Sequence, residues 1–133
     1  MAEKIKSIAI HGGIIVLLSF FLFLGGTWSR MHAQFILGEE ALRRGDFTGA
    51  VAGYESAIHM YIPYHPTIEK AAQQLWSIAE NNERQGDVNR ALIAYRALRS
   101  SFYAVRWLKT PGTEWISRCD RKIAALVPLQ RER

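Results

Sequence analysis

Four histidines, His11, His32, His59 and His65, and a single cysteine, Cys119, are the side chains best suited to bind a metal or attack a substrate. A zinc-type ion needs several such ligands converging from one helix face or one short loop. No two of these histidines stand a helical turn apart, and Cys119 is far from all of them in sequence. No metal and no other cofactor is therefore expected. His59 and His65 flank a proline-containing stretch and read as surface residues. A nucleophilic Cys119 would need a base beside it and an electropositive pocket. Its neighbours Asp120 and Arg121 do not share its helix face. Cys119 falls on an apolar stripe with Trp115, Ile116, Ile123 and Leu126, which predicts a buried structural thiol. The chain has no phosphate-binding glycine loop, no nucleophile elbow and no dinucleotide fingerprint. It is not expected to be an enzyme.

His11 belongs to a different environment. It lies near the start of an apolar run, Ile8 to Trp28, that contains no Asp, Glu, Lys or Arg. A bilayer core of about 30 Å is crossed by roughly 20 apolar residues in a helix, and this run has that length. A cleaved signal peptide is the alternative, because Lys4 and Lys6 precede the run. Gly25-Gly26-Thr27 is a weak cleavage site, however, and Met31-His32-Ala33 lacks a small residue at its first position. The run is also long for a signal peptide, so a retained anchor is expected. An ionisable residue within a span is a functional candidate. Gly12 and Gly13 follow it, and small residues let helices approach closely. His11, Gly12 and Gly13 are therefore expected to contact a partner span. The short basic tail, residues 1–7, favours retention in the cytoplasm, although Arg30, Arg43 and Arg44 follow the span. This predicts a single-pass protein of an inner (cytoplasmic) membrane, with the rest of the chain in a bacterial periplasm.

The formal net charge is +5, and the basic excess lies late in the chain, from Arg84 onward. Arg96, Arg99, Arg106 and Lys109 could face anionic lipid headgroups, or simply form a solvated basic face. No nucleic-acid motif is present, and no nucleic-acid partner is expected. One cysteine allows no internal disulfide.

The elements that must carry these residues are helices. Gly45-Asp46 and Gly86-Asp87 punctuate the polar part, and around each the sequence repeats at an offset of 41 residues: Ala50 and Tyr54 answer to Ala91 and Tyr95. Each unit reads as helix, turn, helix. Glycine ends one helix in a left-handed conformation, and the aspartate caps the next. The first helix runs from about Arg30 to Arg44, and nothing from Thr27 to Phe35 breaks it from the span. The second ends near Met60, before Pro63 and Pro66. A third is expected from a Thr67 cap to about Gln85, a fourth from Val88 to about Leu108, and a fifth from Thr113 to just before Pro128. Residues 128–133 are expected to fray. The apolar spacing is helical throughout, so the fold class is all-α.

These units resemble the tetratricopeptide repeat family. The first, Leu37 to Ile58, carries Gly38, Ala50, Tyr54 and Ala57 at the family's packing positions. The second matches at Ile78, Ala79, Gly86, Asp87, Ala91 and Tyr95, and departs at Asn82 and Leu98. The offset of 41 residues exceeds the family's usual spacing of about 34. The resemblance implies a domain over 30–127, with units at about 31–62 and 67–102 and a capping helix at about 113–127. It also implies a groove lined by the first helix of each unit, presenting His32, Phe35, Glu39 and Arg43, then Gln73, Trp76, Glu80, Glu83 and Arg84. Aromatic anchors beside charges suit a peptide or protein segment. Alternatively, Phe35 and Trp76 pack beneath the capping helix or against the bilayer. The carboxylate clamp of chaperone-binding members is not implied, because Phe35, Glu39, Trp76 and Glu80 occupy its positions.

The expectation that follows is a non-enzymatic, membrane-anchored scaffold. It would be an accessory subunit of an integral membrane protein complex, docking by its span and holding a protein segment with its repeats. An organelle import-type receptor for targeting peptides and an anionic-lipid surface binder are the alternatives.

Overall fold

A computed structural model describes residues 1–132 as five helices, with no strand among them. The first, α1 (Ala2–Arg43), runs without a break from the charged tail through the apolar run and into the first repeat. At about 1.5 Å per residue it is roughly 63 Å long. It is long and apolar enough to cross a bilayer, and its apolar run stays uncovered until Trp28, at its end, meets His65. Its second half packs closely: Met31, Gly38 and Ala41 are buried.

The chain turns where Gly45 takes a φ of 72°, which costs glycine nothing and a residue with a Cβ about 1–2 kcal/mol. Asp46 then accepts from the Gly49 N–H at 2.9 Å and starts α2 (Phe47–His59). The same device recurs 41 residues on. Gly86 has a φ of 77°, and Asp87 accepts from the Arg90 N–H at 3.0 Å to start α4 (Val88–Ala104). The backbone bonds match pair by pair: Asp46 N–H to Ala41 O at 2.8 Å, and Asp87 N–H to Asn82 O at 2.9 Å. The 41-residue repeat is thus a repeat of geometry as well as of letters.

Between the hairpins lies α3 (Pro66–Arg84). It begins at Pro66 rather than after a Thr67 cap. Proline at the first helical position gives up no needed N–H, and His65 rather than Thr67 holds the N-cap position, with extended backbone. Thr67 is inside the helix and buried. The fourth helix stops at Ala104, short of Leu108. Trp107 and Leu108 look apolar enough to continue it, but neither finds a core to enter. The last helix, α5 (Thr113–Arg131), passes through Pro128 instead of ending before it. Proline forfeits the bond to the Ala124 carbonyl, but Ala124 is exposed, so water can take that carbonyl. Gln130 Nε2 then donates to Asn89 Oδ1 at 2.8 Å and ties the final turn to α4. Residues 128–131 are therefore helical rather than frayed; Arg133 lies outside the described residues.

The core runs between the helices as one cluster, from Met31 through Tyr54, Ile58, Leu75, Leu92 and Leu98 to Cys119. Each large aliphatic side chain so buried contributes roughly 1.5–3 kcal/mol. The tightest crossing is α1 on α2. A Cβ on Gly53 would stand 2.5 Å from the Gly38 nitrogen and 2.6 Å from its Cα, so only glycine fits.

Candidate functional site

The nine residues expected to line a groove fall into two groups. Four are committed to internal contacts. Phe35 meets Tyr54 edge to face at 5.5 Å, and Trp76, 41 residues later, meets Tyr95 the same way at 5.0 Å. Trp76 also lies 6.0 Å from Trp115 of α5, and the Arg118 guanidinium sits 4.3 Å from the Trp76 ring and 4.6 Å from that of Trp115. A cation over a ring face is attracted to its π electrons. Trp76 is therefore covered by the fifth helix and is not an open anchor.

The two glutamates of the first group are also engaged. Glu39 Oε1 accepts from the Tyr54 hydroxyl at 2.6 Å and from Gln74 Nε2 at 2.9 Å. Glu83 accepts from the Tyr95 hydroxyl at 2.7 Å and from Lys122 Nζ at 3.0 Å. Each knot has one plan: a tyrosine from the second helix of a hairpin, a glutamate from the first, and a donor from the next helical layer. Burial and the adjacent carboxylate raise the pKa of both tyrosines well above the usual value. Both hydroxyls therefore remain donors. For Glu83, burial alone would raise the carboxyl, but the bonds from Tyr95 and Lys122 outweigh it and hold it below the usual range.

The remaining five lie nearer solvent. His32 is exposed and stacks on Trp28 at 6.3 Å. Arg43 is exposed at the last turn of α1. Gln73 donates to Glu69 at 3.3 Å along its own helix, and Arg84 donates to Asn81 at 2.7 Å. Glu80 is half-buried. The open part of the expected groove is thus polar, and its aromatic anchors have gone into the fold.

Sequence reasoning did not single out the exposed side of α1 beyond the apolar run. Ile36 and Leu37 stay exposed there, while Phe35, Gly38 and Ala41 turn inward. The signal was legible: both lie one turn from Ala33, which is also exposed, and so form an apolar patch with it on one face of the helix. At the other end, Gly12 and Gly13 have no neighbour within 4 Å of an added Cβ. The His11 ring nitrogen bonds back to the Ser7 carbonyl at 2.6 Å.

Three of the four basic residues gather around Tyr103 and the concavity beside it: Arg106, like Arg99, lies over the Tyr103 ring, at 5.9 Å. Arg99 pairs with Asp120 at 2.5 Å and lies over the Tyr103 ring at 4.7 Å. Arg96 lines a shallow concavity with Arg99, Ile93 and Ile123. Arg106 and Lys109 belong to the loop after α4. Cys119 is fully buried, and burial pushes its thiol up to about 12. It is therefore almost wholly protonated at neutral pH and a poor nucleophile. No cluster of His, Cys, Asp or Glu able to hold a metal ion occurs among the described residues. No family model, no curated protein and no solved structure matches this chain.

Proposed function

We propose that the chain is a non-enzymatic membrane-anchored scaffold related to the tetratricopeptide repeat proteins, and an accessory subunit of an inner-membrane complex. One observation carries the reading. The bare apolar helix and the first repeat helix are a single element, α1, and beyond Trp28 the same helix exposes a second apolar patch at Ile36 and Leu37. One rigid helix with an apolar surface in lipid and another beside a polar domain suits a partner that is itself an integral membrane protein with a part outside the bilayer. His11, Gly12 and Gly13 offer that partner a close approach near the start of the span. The polar residues His32, Arg43, Gln73, Glu80 and Arg84 remain to orient a soluble segment of the same complex. The basic tail before the span supports a cytoplasmic N-terminus, with the repeats on the periplasmic side.

Purification from native membranes in a gentle detergent tests this. The chain should emerge with a defined set of membrane proteins, and Leu37→Glu should release them without unfolding the repeats. If the wild-type chain emerges alone and monomeric, the proposal fails.

A further inference from the structure

The antiparallel succession of helices sorts the connections by end. From the apolar run, the first helix leads away, the second returns, the third leads away and the fourth returns. Both Gly-Asp turns therefore lie at the far end of the domain, and the 60–65 and 105–112 connections lie at the end facing the span. The Trp28 indole N–H confirms the placement, donating to His65 Nε2 at 2.8 Å. Trp28 is the last residue of the apolar run, so the first of these loops sits at the level where that run ends.

The two loops adjoin, and together they line a concavity of about 620 Å³. They leave three large side chains uncovered: Tyr64 at 103 % of its reference area, Trp107 at 88 % and Leu108 at 86 %. The exposure is built in. Tyr64 has a φ of 63°, a conformation rarely taken by a bulky residue. The base of the second loop is pinned where Gly112 presses on Phe102, since a Cβ there would lie 2.4 Å from the ring. Neither loop contains Asp or Glu, and Arg106 and Lys109 flank Trp107-Leu108. Tryptophan and tyrosine favour the headgroup level, where an apolar body and a polar edge are both satisfied. Adjacent basic side chains are drawn to anionic lipid.

We propose that Tyr64, Trp107 and Leu108 insert into the lipid headgroup region beside the span, with Arg106 and Lys109 facing the phosphates. The repeat domain then has a second attachment to the bilayer. This rests on the anchoring reading above, and the test separates the two. The full-length chain is reconstituted into vesicles of zwitterionic and anionic phospholipid, brominated either near the headgroup or at the chain midpoint. Tryptophan quenching is compared for wild type, Trp107→Phe and Trp28→Phe. Trp107→Phe should remove a share of the shallow quenching comparable with that removed by Trp28→Phe, and little of the deep quenching. If Trp28→Phe lowers the quenching and Trp107→Phe leaves it unchanged, loop insertion is overturned and the anchor stands. If neither substitution changes it, the anchor falls too, and the loops with it.

Discussion

The two hairpins, α1 with α2 and α3 with α4, share a skeleton but differ in how closely their helices approach. Where the first has Gly38 against Gly53, the second has Ala79 and Ala94 at the matching positions, both fully buried. The aromatic contact is kept, as Phe35 on Tyr54 and Trp76 on Tyr95. The tyrosine's carboxylate is not: Glu39 would map to Glu80, yet Tyr95 reaches one turn further, to Glu83. A repeat thus fixes turns and ring positions, while the polar clasp follows whichever helix packs next. Gln74 supplies it for the first hairpin and Lys122 for the second.

The sharpest way to break the comparison is at the crossing. Gly53→Ala would drive a methyl into the Gly38 backbone, which cannot yield as a side chain does. It should cost about 2–3 kcal/mol, the upper range for overpacking. The reciprocal Ala94→Gly should cost only about 1 kcal/mol, since it removes helix propensity and one methyl. Thermal unfolding of the full chain in detergent, followed by circular dichroism, reads both. Equal losses would mean that the hairpins are spaced alike after all.

The turns test the shared part. Gly45→Ala and Gly86→Ala should each destabilise by about 1–2 kcal/mol for the left-handed conformation. Asp46→Ala and Asp87→Ala should each cost about 1 kcal/mol for the lost cap. A marked inequality within either pair would show that the two turns are not equivalent.

The clasps give a smaller effect, and one that depends on pH. Glu83 titrates below its ordinary value in the folded chain. It therefore stabilises the fold above the unfolded carboxyl's pKa, and that contribution fades as pH falls through the lower folded value. Glu83→Gln should lower the melting temperature at neutral pH and flatten its decline on acidification. A decline as steep as wild type would remove Glu83 from the account. Smallest of all, iodoacetamide should leave Cys119 of the folded chain unmodified, because the buried, protonated thiol reacts only on unfolding. Rapid labelling of the folded chain by iodoacetamide, read by mass, would contradict that.

Much of this fold is legible in the letters because the signals are local. Gly45-Asp46 and Gly86-Asp87 each carry a stop and a start within two residues, and the apolar run of α1 needs no tertiary context. The helix ends that differ from expectation depend on context. Pro128 is harmless only because Ala124 faces water, and Trp107 and Leu108 stay out of the core because no helix covers them at that level. The candidate groove was the least legible part. Phe35, Glu39, Trp76 and Glu83 look like binding residues by type, and only the arrival of Gln74, Trp115, Arg118 and Lys122 from distant positions consumes them. Gly53 was not singled out by type or spacing, because its importance lies in the particular residue it crosses, Gly38.

The unbroken first helix has a mechanical consequence. With no swivel between the apolar run and the repeats, the domain cannot turn independently of the segment that carries it. Any rotation of that segment about its own axis becomes an equal swing of the whole domain around the same shaft. Inserting one residue near Ser29 would turn the domain by about 100° and lift it by about 1.5 Å. The protein is a crank whose phase is set by helical pitch.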